Sequence, residues 1–359
     1  MRVRGHQASG DDGGGTGVAT KEDRLGKIVG MFAGFFGTWV MNIGRRAGLF
    51  AAIDEAGSVT AESLAKKLDY EPRYVETWCR GAYAFDLLEY DPGKGFRLAP
   101  FVKDILLDAT QPTFMGGRAE FFPLLVKDFQ VYPDRMRDKG LYPWTEHEAP
   151  LFEALKKATR ADFPNITANV LPKAPELLAR LQVGGKILDV GCGVGLGIVH
   201  FGKTFPKAEV VGIDIDRRAI DEAREVIRQE GLAPLVKAEV LSAHDLAAAQ
   251  EYDLIVFNVS LHEMDAQHEG RVKVLRRCRG ALREGGSVLV SDVPLPDRIE
   301  DFKGTTHQMF VGVTFYVSLF GYTLLSDALV RELLAEAGYR NIRRMGQPTP
   351  TRMMFLADK

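Results

Sequence analysis

The second half of the chain alternates short apolar runs with helical segments. The runs that suit buried strands are residues 186–190, 209–214, 236–241, 252–261 and 285–292. Helices are predicted over 198–205 and 217–230, after the first two runs. Two last strands, 341–345 and 352–356, flank a Gly-Gln-Pro-Thr-Pro turn. This order predicts an α/β domain with a doubly wound parallel sheet over residues 181–359.

The first half has the pattern of a helix-turn-helix followed by a wing. Thr60 and Ser63 are alternative caps for a short helix, a second helix is predicted over 73–88, and a hairpin over 90–98. Such modules often bind DNA, but this second helix mixes arginines with acids and aromatic residues, which favours a contact between protein subunits. We predict a domain over 23–110 and a mostly helical segment over 111–180 that links the two domains and contributes to a substrate pocket.

The stretch from Ile28 to Gly44 is uncharged over 17 residues. It is slightly short for a membrane span of ~20 residues and contains Gly30, Gly34, Gly37, Thr38 and Asn42, so we predict a buried helix instead. Apolar residues on nearly every side of a terminal helix suggest a subunit interface. Residues 1–22 are rich in glycine and lack periodicity, which predicts a disordered tail.

Composition narrows the class further. The 359 residues suggest two domains, and the net charge of −2 with scattered lysines and arginines gives no sign of nucleic-acid or anionic membrane partners. Three cysteines without a Cys-x-x-Cys pair argue against a disulfide framework or a metal site. No hydrophobic segment with a secretory cleavage site is apparent near the start, so we expect a cytoplasmic protein.

The run that starts at Lys186 breaks into the glycine loop Asp189-Val-Gly-Cys-Gly-Val-Gly195. Its spacing fails the dinucleotide fingerprint Gly-x-Gly-x-x-Gly, and no Gly-Lys-Ser/Thr follows as a P-loop requires. The next strand ends in Asp214, 23 residues after Gly191, which is near the ~20-residue interval at which an acid can bind both hydroxyls of an adenosine ribose. Asp214 is therefore the predicted ribose ligand.

The Asp-x-Gly-x-Gly-x-Gly loop resembles motif I of the class I S-adenosylmethionine (SAM) dependent methyltransferases. The N-terminal module resembles the winged-helix dimerisation domain of small-molecule O-methyltransferases. The resemblance implies a Rossmann-like sheet of seven strands with one antiparallel strand near the end, SAM as cofactor, and a homodimer formed through the N-terminal domain. The residues assigned to the cofactor are Asp189, Gly191, Cys192, Gly193, Gly195, Asp214, Ile215, Ser242, Ala243 and Asn258. Asp245 is an outside choice for the adenine edge.

The stretch Asn258-Val-Ser-Leu-His-Glu-Met264 resembles the leucine-histidine-aspartate-tryptophan segment of these O-methyltransferases. On that match His262 is the general base, and Glu263 takes the place of the aspartate as a second catalytic residue. The acid that orients the histidine in the family has no equivalent in residues 318–327, so Glu263 or Asp292 is a possible substitute. His262 as a substrate-orienting or a structural residue stays an alternative.

Aromatic residues near the cofactor domain suggest an apolar or aromatic acceptor. The substrate candidates are Phe121, Phe122, Trp144, Phe163, His307 and Phe310. We predict methyl transfer to the oxygen of a small molecule. The alternatives are transfer to carbon or nitrogen, a SAM-binding regulator whose winged helix contacts DNA, and a SAM-binding protein of this fold that transfers no methyl group.

Overall fold

A computed structural model describes residues 19–142, 146–346 and 351–359. The N-terminal unit packs helices α1 (Lys21–Arg46), α2 (Leu49–Ala56), α3 (Ala61–Leu68) and α4 (Pro72–Ala84) against a hairpin of β1 (Leu88–Asp91) and β2 (Gly95–Leu98). Phe50, Ile53, Leu64 and Cys79 are fully buried between them. This is the predicted helix-turn-helix with a wing.

The first helix differs from its prediction. Thr20 caps it in a reciprocal capping box with Asp23, so the helix begins two residues before the predicted end of the tail. The predicted tail otherwise falls outside the described residues. The prediction of a buried helix is wrong for the N-terminal half of α1 in the single chain, because its apolar side chains are exposed. These are Leu25, Ile28, Val29, Met31, Phe32, Phe35 and Phe36. Across the described ranges, no helix is long and apolar enough to cross a membrane.

A group of mostly short helices links the two domains. They are α5 (Val102–Leu106), α6 (Gly116–Phe121), α7 (Val126–Asp138), α8 (Ala149–Thr159), α9 (Asp162–Asn165) and α10 (Pro175–Val183). Helices α6 and α8 pack closely, since a Cβ at Gly117 would collide with the main chain at Lys157. This close packing places α6 and α8 beside the sheet domain.

Seven strands form the sheet, in the spatial order β5-β4-β3-β6-β7-β9-β8. They are β3 (Lys186–Val190), β4 (Glu209–Asp214), β5 (Val236–Val240), β6 (Tyr252–Asn258), β7 (Leu282–Asp292), β8 (Arg340–Met345) and β9 (Met353–Asp358). β9 runs antiparallel to both of its neighbours, β7 and β8, and the pairs among β3 to β7 are parallel. The predicted fold class is confirmed.

The remaining helices are α11 (Leu196–Thr204), α12 (Arg217–Gln229), α13 (His268–Ala281), α14 (Thr305–Leu319) and α15 (Asp327–Glu336). Two apolar cores, one on each face of the sheet, bury strand residues such as Ile187 and Leu188 completely. The chain continues from β3 to one side of the sheet and returns at β6 on the other, so the strand order reverses between them. A crevice at this switch point, beyond the carboxyl ends of the strands, is where α/β sheets bind ligands.

Candidate functional site

The glycine loop after β3 turns through conformations that favour glycine. Gly191, Gly193 and Gly195 have φ angles of 75°, 52° and 85°. A Cβ at Gly191 would lie 2.6 Å from the Cβ of Ser260, whereas a Cβ at Gly193 would meet no atom within 4 Å. Gly191 is therefore required by close packing, while Gly193 presents bare main chain to the open space of the pocket.

Asp214 at the end of β4 faces this loop. Its Oδ2 accepts a hydrogen bond of 2.9 Å from the main-chain N–H of Gly193, and its Oδ1 accepts one of 2.9 Å from Asp216. Each oxygen keeps a free acceptor position, so the fixed carboxylate can still bind two hydroxyl groups. The next residue, Ile215, is 75% exposed and lines the same pocket. A diol beside an apolar face is what an adenosine presents, and the residues fit that group.

A cavity of about 680 Å³ connects this loop to the ends of β6 and β7. The predicted cofactor residues that line it are Gly191, Cys192, Gly193, Asp214, Ile215, Ser242, Ala243 and Asn258. The predicted substrate residues that line it are Phe121, Phe122, Phe163 and Phe310, together with His262 and Glu263. One pocket therefore collects most of the predicted site.

Three predicted site residues do not line the pocket, and the structure corrects them. Asp189 is 1% exposed and lies beneath the loop, where its Oδ2 accepts no hydrogen bond within the described part of the chain. Burial, with a contribution from Asp214, raises the pKa of Asp189 to about 7. Gly195 turns the chain into α11, where a Cβ would approach that of Ala223 to 2.9 Å, so its role is conformational.

The third correction is His307. Its Nδ1 lies 2.7 Å from the main-chain oxygen of Asp301, because the 3₁₀ turn Ile299–Lys303 folds back on the start of α14. The adenine alternative Asp245 faces a separate groove. Trp144 lies outside the described residues.

A buried histidine and aspartate lie beyond the ends of β6 and β7, and the segment that carries the histidine packs against the glycine loop through Ser260. The Nδ1 of His262 lies 2.9 and 3.0 Å from the two carboxylate oxygens of Asp292, at the end of β7. β6 ends at Asn258, Val259 adopts a φ of 56°, and a 3₁₀ turn over Leu261–Glu263 directs the ring toward β7. The side chains of His262 and Asp292 are 1% and 0% exposed. Asp292 is thus the partner that residues 318–327 lack.

The charges around this ring favour its protonated form. Burial opposes a charged imidazole, but the charge and hydrogen bond of Asp292, with a smaller contribution from Glu263, raise the pKa of His262 to about 10. Glu263 reaches the other ring nitrogen, with its Oε1 3.5 Å from Nε2. Asp292 therefore fixes Nδ1 as the proton-bearing nitrogen, and Nε2 is the atom left to exchange a proton with a ligand.

A second charged cluster lies at the cavity, and no sequence motif predicts it. Asp162 accepts hydrogen bonds from Arg352, at 3.0 Å from Nε and 2.9 Å from Nη2, and from the amide of Asn258 at 3.3 Å. Arg118 on α6 lines the cavity as well. These residues are far apart in the chain and belong to no motif, so only the folded structure brings them together.

Comparison with known proteins supports both halves of the chain. Residues 181–338 match the family model described as "Methyltransferase domain", and residues 37–104 match "Rv2258c-like winged HTH domain". A Pseudomonas putida protein named "Probable fatty acid methyltransferase" is 34% identical over 113 residues, which are 31% of this chain and 27% of that protein. The chain spans between about a quarter and about half of the length of the curated relatives it matches.

Solved structures resemble nearly the whole chain. The SAM-dependent methyltransferase SibL, in its apo form, matches with a TM-score of 0.71 at 20% identity, over 93% of this chain and 99% of its own. Human N-acetylserotonin methyltransferase, in complex with SAM, matches with a TM-score of 0.64 at 18% identity, over 95% and 99%. At these identities the likeness shows the fold. The likeness confirms the predicted fold class, and the two family models agree with the predicted methyltransferase and winged-helix domains.

Proposed function

We propose that this chain, a member of the SAM-dependent methyltransferases with an N-terminal winged-helix domain, transfers a methyl group to an oxygen of a small apolar molecule. One observation carries the proposal: the His262–Asp292 pair and the Asp214 carboxylate line or adjoin the same cavity. A base and a nucleoside site that share one cavity suit transfer from a bound cofactor to a hydroxyl.

The residues that would hold SAM lie along the glycine loop. Asp214 would bind the ribose hydroxyls, Ile215 would cover the adenine, and the segment at Ser242 and Ala243 would meet the adenine edge. When bound, SAM supplies a methyl group on a positively charged sulfur, which an aligned nucleophile displaces. The chain's own part is to position the acceptor, exclude water and take up its proton.

His262 is the proposed proton acceptor. A hydroxyl is a poor nucleophile until a neighbouring group takes its proton, and Nε2 of His262 is available for this because Asp292 binds Nδ1. Asp292 then balances the charge of the ring that has gained the proton. The raised pKa makes the ring a strong base but leaves only its deprotonated fraction competent, so the rate should rise with pH above neutrality.

Aromatic side chains supply the proposed acceptor wall. Phe121 packs edge-on against Tyr316, with ring centroids 5.8 Å apart, and Phe310 and Tyr322 line the same cavity. Offset and edge-on aromatic contacts favour a flat, apolar acceptor. A structural neighbour named mitomycin 7-O-methyltransferase agrees with transfer to oxygen.

The test is incubation with SAM and a panel of matched acceptors, followed by mass spectrometry. The panel contains a phenol, a catechol, an aniline and an aromatic ketoacid. A gain of one methyl mass on a hydroxyl compound that requires His262 supports the proposal. Methylation of the aniline or the ketoacid carbon alone, independent of His262, would replace it with nitrogen or carbon transfer.

The exposed face of α1 supports a homodimer as the partner. Phe32 and Phe35 are 63% and 53% exposed on a helix whose other end, at Gly37 and Gly44, is buried in the N-terminal core. Apolar side chains at this density favour burial against a second copy. A DNA-contacting role is disfavoured, since Arg80 on α4 is paired with Glu76. We further propose that the protein acts in the cytoplasm without a membrane partner. Its three cysteines are free and buried, and they would stay reduced there.

Sedimentation tests the dimer. We expect Phe32→Glu with Phe35→Glu to convert the dimer to a monomer. Met136→Glu, which changes an equally exposed apolar residue on α7, is the matched control and should leave the dimer intact. A wild-type protein that sediments as a monomer at micromolar concentration would contradict the interface.

A further inference from the structure

Arg118 is a buried cation without an acidic partner. It is 7% exposed, and its Nη1 makes only long contacts, 3.5 Å to the main-chain oxygen of Phe114 and 3.6 Å to the Sδ of Met115. Throughout the described ranges, no carboxylate forms a salt bridge with it. A guanidinium has five N–H donors, and most of those of Arg118 have no partner of ordinary strength in the protein.

The other cations nearby are paired. Arg45 binds Glu120 at 2.8 Å, Lys157 binds the second oxygen of Glu120 at 2.5 Å, and Lys156 binds Glu153 at 2.7 Å. Helix α6 carries one acid, Glu120, and both Arg45 and Lys157 already bind it. Arg118 therefore lacks the salt bridge that each of these neighbouring cations has.

Asp162, the acid whose charge acts on Arg118, is also occupied. Asp162 is only 5% exposed, and its Oδ2 accepts hydrogen bonds from two nitrogens of Arg352 and from Asn258. Two arginines thus face one carboxylate, which leaves one positive charge in excess. Burial, and then repulsion by Arg352, lower the pKa of Arg118 to about 10, so its guanidinium remains charged at neutral pH.

An unpaired charge is expensive to bury. The cost is recovered if a ligand brings one negative charge, and the planar fork of arginine matches a carboxylate with two parallel hydrogen bonds. We propose that Arg118, with Arg352 beside it, forms a carboxylate-binding subsite in the wall of the cavity. The carboxylate has two possible sources, the amino-acid end of SAM or the methyl acceptor. Both sources rest on the proposed function, whereas the excess positive charge of the subsite does not.

Calorimetry with Arg118→Met separates these sources. The first probe is S-adenosylhomocysteine, compared with its decarboxylated analogue. If the subsite binds the cofactor, the substitution lowers the affinity for S-adenosylhomocysteine at least tenfold and leaves the affinity for the decarboxylated analogue unchanged. Arg298→Met, at an exposed arginine paired with Asp301 away from the cavity, is the matched control and should change neither affinity.

The second probe is 1-naphthoate, compared with 1-naphthamide, titrated into protein saturated with S-adenosylhomocysteine. If the subsite binds the acceptor, Arg118→Met removes the preference for naphthoate over naphthamide and leaves S-adenosylhomocysteine binding intact. Arg118→Lys keeps the positive charge but loses the planar pair of N–H donors. It should retain part of the preference for the carboxylate over the uncharged probe, in whichever of the two titrations Arg118→Met has an effect.

Thermal unfolding of the ligand-free variants distinguishes a loss of binding from a loss of folding. Because Arg118 has no salt-bridge partner to lose, Arg118→Met should keep or raise the melting temperature. Loss of affinity for charged and uncharged probes alike, or discrimination unchanged in both arms, would overturn the subsite. Failure of the wild-type chain to bind S-adenosylhomocysteine would overturn the proposed function instead, and naphthoate and naphthamide titrated into the ligand-free chain would then decide the subsite.

Discussion

The two halves of the cavity are built in different ways. The cofactor half, around Gly191, Gly193 and Asp214, comes from one continuous stretch and uses main-chain N–H groups and a single carboxylate. The acceptor half combines side chains from α6, α8, α14 and the ends of β6, β7 and β9. Local chemistry specifies the first half, and long-range packing specifies the second. Substitutions in the first should therefore affect binding, and those in the second should affect turnover.

Two acids at the ends of neighbouring strands sharpen this point. The side chain of Asp189 is buried beneath the glycine loop, whereas the side chain of Asp214, on the neighbouring strand, faces the cavity. Both follow an apolar run, and both were predicted to contact the cofactor. Their difference comes from the loop itself, which folds over Asp189 and leaves Asp214 open.

The largest expected effect lies in the acceptor half. His262→Ala should reduce kcat by ~100- to 10,000-fold, because the acceptor hydroxyl loses its proton acceptor. The affinity for S-adenosylhomocysteine should stay within about twofold of wild type. His307→Ala is the matched control, since that ring bonds to main chain away from the cavity. Equal kcat values at saturating acceptor for His262→Ala and wild type would remove the base from the proposal.

The next effect belongs to the cofactor half. Asp214→Ala should weaken S-adenosylhomocysteine at least tenfold in calorimetry, because it removes the acceptor for two ribose hydroxyls and a hydrogen bond that holds the loop at Gly193. Asp189→Asn should leave that affinity near the wild-type value. An Asp189→Asn variant that binds as poorly as Asp214→Ala would erase the distinction between the two acids.

A third prediction concerns the pH dependence of the acceptor half. Asp292 favours the charged form of His262, so Asp292→Asn should lower the pKa of the ring and move the rising limb of kcat against pH toward lower pH. Glu263→Gln should move it in the same direction by less. The maximal rate should also fall in Asp292→Asn, as the ring loses its orienting partner. A limb that stays in place or moves to higher pH would show that another group controls it.

The contrast between local and long-range residues also explains how much of the site can be predicted from the sequence. The glycine spacing and the strand-end acid predict a nucleoside site at Asp214, since both signals depend on residues that are close together in the sequence. The motif around His262 indicated a base, and Asp292 was one of two partners considered. Arg118, Asp162 and Arg352 were missed, because a separation of 190 residues between the paired Asp162 and Arg352 leaves no local pattern. His307 was misplaced because helical spacing does not reveal which face a neighbouring turn will cover.

The smallest expected effect is on stability, and it again separates the two strand-end acids. The pKa of Asp189 is about 7 in the folded chain, above its ordinary value near 3.8, so the folded state holds a proton that the unfolded state has released. The stabilisation that this proton provides is complete below the unfolded pKa and is lost as pH rises through about 7. Asp189→Asn has no ionisable group at this position, so its melting temperature relative to wild type should increase between about pH 4 and about pH 7 and stay constant above that. A shift of a few degrees is expected, since ~1 kcal/mol moves the melting temperature of a large domain by about 2–4 °C. A melting difference that does not change with pH would mean that Asp189 is already ionised within the fold, and its burial would then need a partner in the cavity, as first predicted.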